Sequence, residues 1–144
     1  MDPTLAAAEV AILEAYHGYW AAKVAAFADP TKDPGAELER FAVDRAFTDV
    51  GTSLFTFRDS GIAFIGAPRL SPKVADVVAG DQGSANITDC VDVSDWRPIY
   101  TATGDSAAAP GQATKVLTNS TAYFYIDHWT IRTSDVDRGT SCGG

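Results

Sequence analysis

Apolar side chains recur at three- and four-residue spacings through the first third of the chain and alternate with polar ones afterwards. Leu5, Ile12, Leu13, Tyr16, Trp20, Val24 and Phe27 share one stripe of a helix of roughly 25 residues. Asp2 is placed to cap it, Pro3 suits its first position, and Asp29-Pro30 stops it. Asp33-Pro34 repeats the start signal, and Glu37, Leu38 and Phe41 predict a short second helix. A third begins near Asp44, buries Phe47, Val50, Leu54 and Phe57, and ends at Gly61, which suits a left-handed terminal residue.

After Gly61 the period changes to two. Strands are predicted over 62–65, 74–79 and 85–93, the last two joined by the hairpin turn Gly80-Asp81-Gln82-Gly83. Residues 94–112 read as an exposed loop punctuated by Pro98 and Pro110, with an extended stretch around Trp96 to Tyr100. Strands over 113–125 and 129–136 follow, with Ile126-Asp127-His128 turning between them. Val116, Thr118, Ser120, Ala122 and Phe124 fall on one face of the first. Leu117, Thr121, Tyr123 and Tyr125 fall on the other, and Asn119-Ser120 suits a bulge. Helices over 3–60 followed by strands over 62–138 predict one α+β domain spanning 1–144. In it, the N-terminal helices pack on a curved antiparallel sheet of four to five strands.

Composition narrows the partners. With 46% hydrophobic and 21% charged residues the chain has a globular balance. Eleven Lys and Arg against 19 Asp and Glu give a net charge of −8, which argues against nucleic acid, whose phosphates need clustered cations. No apolar run is long enough to form a transmembrane segment.

The two cysteines, Cys90 and Cys142, allow three readings. A zinc site would have to gather both with His17 and His128 from scattered places, with no Cys-x-x-Cys pair to nucleate it. Two free thiols would suit a cytosolic protein. A disulfide is the better reading, because it ties down a chain end and belongs to an oxidising compartment. Met1-Asp2-Pro3-Thr4 has neither the basic start nor the apolar stretch of a signal peptide. That leaves a cytosolic chain or one whose export signal has been removed, and the cysteines favour the second.

Tyr16-His17-Gly18-Tyr19-Trp20, Gly66-Ala67-Pro68 and Thr88-Asp89-Cys90-Val91-Asp92-Val93-Ser94-Asp95-Trp96 with Pro98 form a series, completed by Trp129-Thr130-Ile131 and the terminal Cys142. Together they resemble the small secreted proteins and lipoproteins of actinobacteria with an NTF2-like, cone-shaped α+β fold. The resemblance runs from about residue 9 to 142, most specifically in the Asp-Cys-x-Asp segment with its distant cysteine. It implies a Cys90–Cys142 pair and a secreted or cell-surface location, and it leaves lipid anchoring open. It also implies a pocket at the open end of the cone, of the kind that binds small apolar molecules in many relatives and catalyses in some.

In such a cone Tyr16, Trp20 and Phe27 would face Tyr123, Tyr125 and Trp129, either filling it or shaping a cavity. His17 would need a carboxylate, Asp44 or Asp127, to act as a base; otherwise it is a partly buried, hydrogen-bonded histidine. His128 reads as an ordinary turn residue. Asp89, Asp92 and Asp95 invite a calcium reading, but on a strand positions 89 and 92 point to opposite faces, and Asp92 or Asp95 better serves to cap a turn. Asp135 and Asp137 read as part of a solvated ladder with Arg132 and Arg138. Nucleophile and phosphate-loop motifs are absent, so neither catalytic residues, nor a metal, nor a cofactor is assigned.

The leading reading is a non-catalytic extracytoplasmic domain that binds a small apolar ligand or another envelope protein at the cone mouth and loop 94–112, with Trp96 as anchor. The alternatives are an NTF2-like isomerase, cyclase or hydrolase acting on a small apolar substrate, and a subunit of a cell-surface assembly, including a homo-oligomer pairing through a free sheet edge.

Overall fold

The computed structural model describes residues 3–142, and it is α+β. Three helices come first: α1 (Pro3–Ala28), α2 (Ala36–Phe41) and α3 (Asp44–Ser60). Six strands follow: β1 (Ile62–Gly66), β2 (Pro72–Val78), β3 (Ser84–Asp92), β4 (Trp96–Tyr100), β5 (Lys115–Tyr125) and β6 (His128–Asp137). Asp2, expected to cap α1, lies outside the described residues. Gly61 ends α3 at φ 70°, the left-handed position expected of it.

The strands form two antiparallel sheets rather than one: β2-β3-β5-β6 and a separate pair, β1-β4. Residues 96–100, placed by the sequence within a loop, are thus a strand whose register runs from Gly66 opposite Trp96 to Ile62 opposite Tyr100. Pro98 sits opposite Phe64 and is tolerated because the other side of β4 meets only a short bridge, Ile99 with Ser106, where the Pro98 carbonyl accepts the Ala107 amide. The 80–83 hairpin forms as expected, with the Gly83 amide donating to the Gly80 carbonyl. The β5–β6 loop is tighter than expected, since His128 already pairs with Tyr125. The bulge expected at Asn119-Ser120 lies instead between Thr121 and Ala122, whose partners Thr133 and Ile131 leave Arg132 as the extra residue on β6.

α1 lies across the inner face of the larger sheet. It buries Ile12, Tyr16, Trp20 and Phe27 as the periodicity predicts, and also Tyr19, because this helix is apolar on nearly every side. Beneath it run Ala85, Ile87, Asp89 and Val91 of β3, with Thr118, Ser120 and Ala122 of β5 and Trp129 and Ile131 of β6. Gly18 lets α1 meet the second helix: a Cβ there would lie 2.5 Å from the Phe41 ring. The other sheet face is polar and carries the staple. Cys90 is disulfide-bonded to Cys142 with Cα atoms 5.8 Å apart. Cys90 stands opposite Leu117, which stands opposite Asp137, so the tail leaving β6 crosses β5 to reach β3. No helix among the described residues is long and apolar enough to cross a membrane.

Candidate ligand-binding site

A cavity of about 410 Å³ opens between the C-terminal half of α1, the β1-β4 pair, the segment 108–114 and the inner face of the larger sheet. Trp20 and Phe27 enter it from α1, Phe64 from β1 and Trp96 from β4, while Val116, Thr118 and Val136 form its floor. Trp96 is the hinge of this wall. Its ring stacks on Phe27 at 5.7 Å, meets Trp20 edge-on at 5.6 Å and lies 4.7 Å from Phe64. The backbone before it is set by a close approach. Gly66 adopts φ +81°, and a Cβ there would stand 1.9 Å from the Asp95 carbonyl, which accepts the Ala67 amide at 3.0 Å. Asp92 caps the same turn, accepting the Ser94 amide at 3.0 Å and hydroxyl at 2.6 Å, as one of the sequence readings has it. Asp95 pairs with Arg69.

The cavity's polar groups share a character. Lys23 Nζ lies 4.5 Å over the Trp20 ring. Burial pushes its amine down to about 8, against a smaller opposing pull from Asp49. Arg97 and Arg138 also line the cavity, and none of these three cations makes an ion pair among the described residues. No Asp, Glu or His lines it. Among the described residues, Trp96 Nε1 and Thr118 Oγ1 are buried with no hydrogen-bond partner and belong to lining residues, whereas the Trp20 indole interacts with the Tyr16 phenol.

A second polar feature lies deeper. The Tyr16 hydroxyl donates to Asp89 Oδ2 at 2.7 Å, and both residues are fully buried. The Ser71 amide and hydroxyl donate to Asp89 Oδ1 at 2.8 and 3.4 Å. Burial, and then the adjacent carboxylate, raise the Tyr16 phenol well above its ordinary value. Thr118 stands directly opposite Asp89 across the β3–β5 ladder, so this pair borders the cavity floor without lining it.

The aromatic constellation expected from the sequence is thus only partly assembled. Trp20, Phe27 and Trp96 meet in the cavity wall. Trp96 is not on an exposed loop: it is a strand residue left only 8% exposed, because β4 pairs inward with β1. Tyr123 and Tyr125 do not face α1. They lie on the opposite sheet face, Tyr123 beneath the Arg132 guanidinium at 5.6 Å, in a depression shared with Asp44 and Phe47. Trp129 is buried in the core, edge-on to Phe124, away from the cavity. His17 is exposed rather than partly buried, because its position on α1 points away from the sheet; Tyr16 touches it edge-on at 6.2 Å. Neither carboxylate considered for it is at hand: Asp44 binds Arg132 at 2.9 Å, and Asp127 binds His128 Nδ1 at 2.7 Å. His128 is more than a turn residue, since its Nε2 donates to the Arg40 carbonyl at 2.6 Å and ties α2 to the start of β6. Asp89 points inward while Asp92 and Asp95 both reach Arg69, and the described residues contain no metal-ligating cluster. Asp135 joins a charge ladder that reaches α3 through Arg45.

Sequence reasoning missed Asp89 as the partner of Tyr16, and missed Lys23 altogether. The first had a signal: the alternation Ala85, Ile87, Asp89, Val91 puts a carboxylate on an apolar face.

No protein-family model and no curated protein matches the sequence. Among solved structures, the fold is similar to the intermembrane space region of the chloroplast protein ARC6. The TM-score is 0.51 at 12% identity, covering 94% of this chain and 96% of that one. At that identity the likeness shows a shared α+β fold, end to end, and nothing of function.

Proposed function

We propose that the chain is a non-catalytic, extracytoplasmic domain of NTF2-like kind that binds a small, largely apolar ligand between α1 and its sheet. The observation that carries this reading is the cavity itself: about 410 Å³, within the size range of small-ligand sites, with aromatic walls and few polar groups. It lies where helices cover the inner face of a sheet at its open end, which is where the resemblance to the actinobacterial secreted family places a pocket. The Cys90–Cys142 bridge supports an oxidising location. The enzyme alternative needs an ionisable pair in the cavity, and the lining supplies cations without a partner base. The assembly alternative needs a long free edge. The β2 edge is broken by a bulge around Asp76, and the β6 edge is partly occupied by Ala42 and Val43, whose amide donates to the Ile131 carbonyl at 3.0 Å.

The test is native mass spectrometry of the protein purified from its own host, with Trp96→Ala as comparison. The expected result is a retained small molecule that the variant loses. Protein recovered empty, and then unable to bind any small amphiphile in solution, would overturn the reading.

A further inference from the structure

We infer that the ligand is an anion: an acceptor-rich, negatively charged group, of carboxylate type, on a rigid apolar body small enough for the cavity. This deepens the small-ligand reading and rests on it. The protein carries a net charge of −8, yet its cavity is lined by three cations, Lys23, Arg97 and Arg138, and by no carboxylate. Elsewhere Arg45, Arg69 and Arg132 each hold one or two aspartates, and Arg58 donates to the Pro30 carbonyl. The cavity cations are not among them.

The unpartnered atoms point the same way. An indole nitrogen can only donate, and Trp96 Nε1, in a residue 8% exposed, has no acceptor among the described residues. Thr118 Oγ1, in a residue 2% exposed, is free to donate as well. An ammonium buried against an aromatic ring, with its counter-charge at a distance, is an electrostatic vacancy that one anion fills. A cationic guest would instead meet Lys23, Arg97 and Arg138 with no carboxylate in the lining to hold it.

The geometry divides the roles. Phe27, Phe64 and Trp96 stack on the apolar body. Lys23 takes the charge, and Arg97 and Arg138, both exposed, draw it in.

The test is calorimetric titration of the whole chain with matched probes on two apolar bodies, naphthalene and a decyl chain, each as carboxylate, primary alcohol and primary ammonium. At pH 7 the carboxylate is expected to bind about tenfold or more tighter than the alcohol of the same body, and the ammonium weakest. Lys23→Met, which keeps the length and apolar packing of the side chain, is expected to erase that preference by weakening the carboxylate far more than the alcohol. Arg97→Gln should weaken the carboxylate less and reduce its dependence on salt. Equal binding of alcohol and carboxylate, or a preference for the ammonium, overturns the anion and leaves the small-ligand reading standing. Failure of all six probes to bind overturns both.

Discussion

The Tyr16–Asp89 contact is a buried polar link between α1 and the larger sheet, and Tyr16→Phe tests what it does. The ring stays, so no cavity opens and the apolar burial is unchanged. Only the hydroxyl at 2.7 Å from Asp89 Oδ2 goes, which leaves a fully buried carboxylate held by Ser71 alone. A hydrogen bond to a charged group, together with the desolvation left uncompensated when it is removed, is worth about 2–3 kcal/mol. For a chain of 144 residues, an unfolding entropy near 2.1 cal/mol/K per residue gives roughly 0.3 kcal/mol/K, so Tm should fall by about 7–10 °C. Guanidinium titration followed by tryptophan fluorescence, with the disulfide intact, reads the same quantity as a lower midpoint at unchanged slope. The partner variant closes the cycle. Asp89→Asn has less need of a phenolic donor, so Phe at position 16 should cost at least about 1 kcal/mol less in that background. A Tyr16→Phe protein within about 0.5 kcal/mol of its parent, or two changes that simply add, would refute the brace.

Alkaline titration should show two opposite slopes. Tyr16 and Tyr19 are both raised by burial, Tyr19 to about 12. Their contribution is therefore complete below the ordinary tyrosine value of about 10 and is lost as pH rises through and beyond 12. Lys23, lowered to about 8, has the reverse sign: the unfolded chain binds the extra proton between about 8 and 10.5, so stability rises across that window, by at most about 3 kcal/mol. Denaturation midpoints from pH 7 to 11.5 should climb and then fall, with Lys23→Met abolishing the climb; a monotonic fall in the parent contradicts the buried amine. Cys142→Ser frees a loop of 52 residues and should cost up to about 4 kcal/mol while sparing the cavity, as read by unfolding midpoint and probe affinity together. Thiol titration of unfolded, unreduced protein should count no reactive thiol, and two would remove the bridge.

What the sequence made legible was what local rules decide. Periodicity placed α1 and α3, the left-handed Gly61 ended α3, and alternation sorted the two faces of β5 correctly. What it obscured was pairing across distance. Nothing near Trp96 signals that 96–100 will find 62–66, because Pro98 and the polar run after Tyr100 read locally as loop. The same blindness misplaced Tyr123 and Tyr125. Their face of β5 was identified, but opposing them to α1 set the wrong face against the helix.

That failure falls where the site is built. The wall of the cavity is made by the β1-β4 pair standing apart from the main sheet, with Gly66 letting its turn close on Asp95 and Trp96 locking it to α1 through the Trp20 and Phe27 rings. Had 96–100 remained a loop, Trp96 would be a surface anchor for a protein partner. As a strand residue it becomes part of a cavity wall. Lys23 carries the same lesson in charge. On a helical wheel it is a lone cation between apolar neighbours, the ordinary pattern of a solvated flank. Only the aromatic wall raised beside it by a nonlocal strand pair turns it into a desolvated amine at the edge of a cavity, which is what the anion proposal builds on.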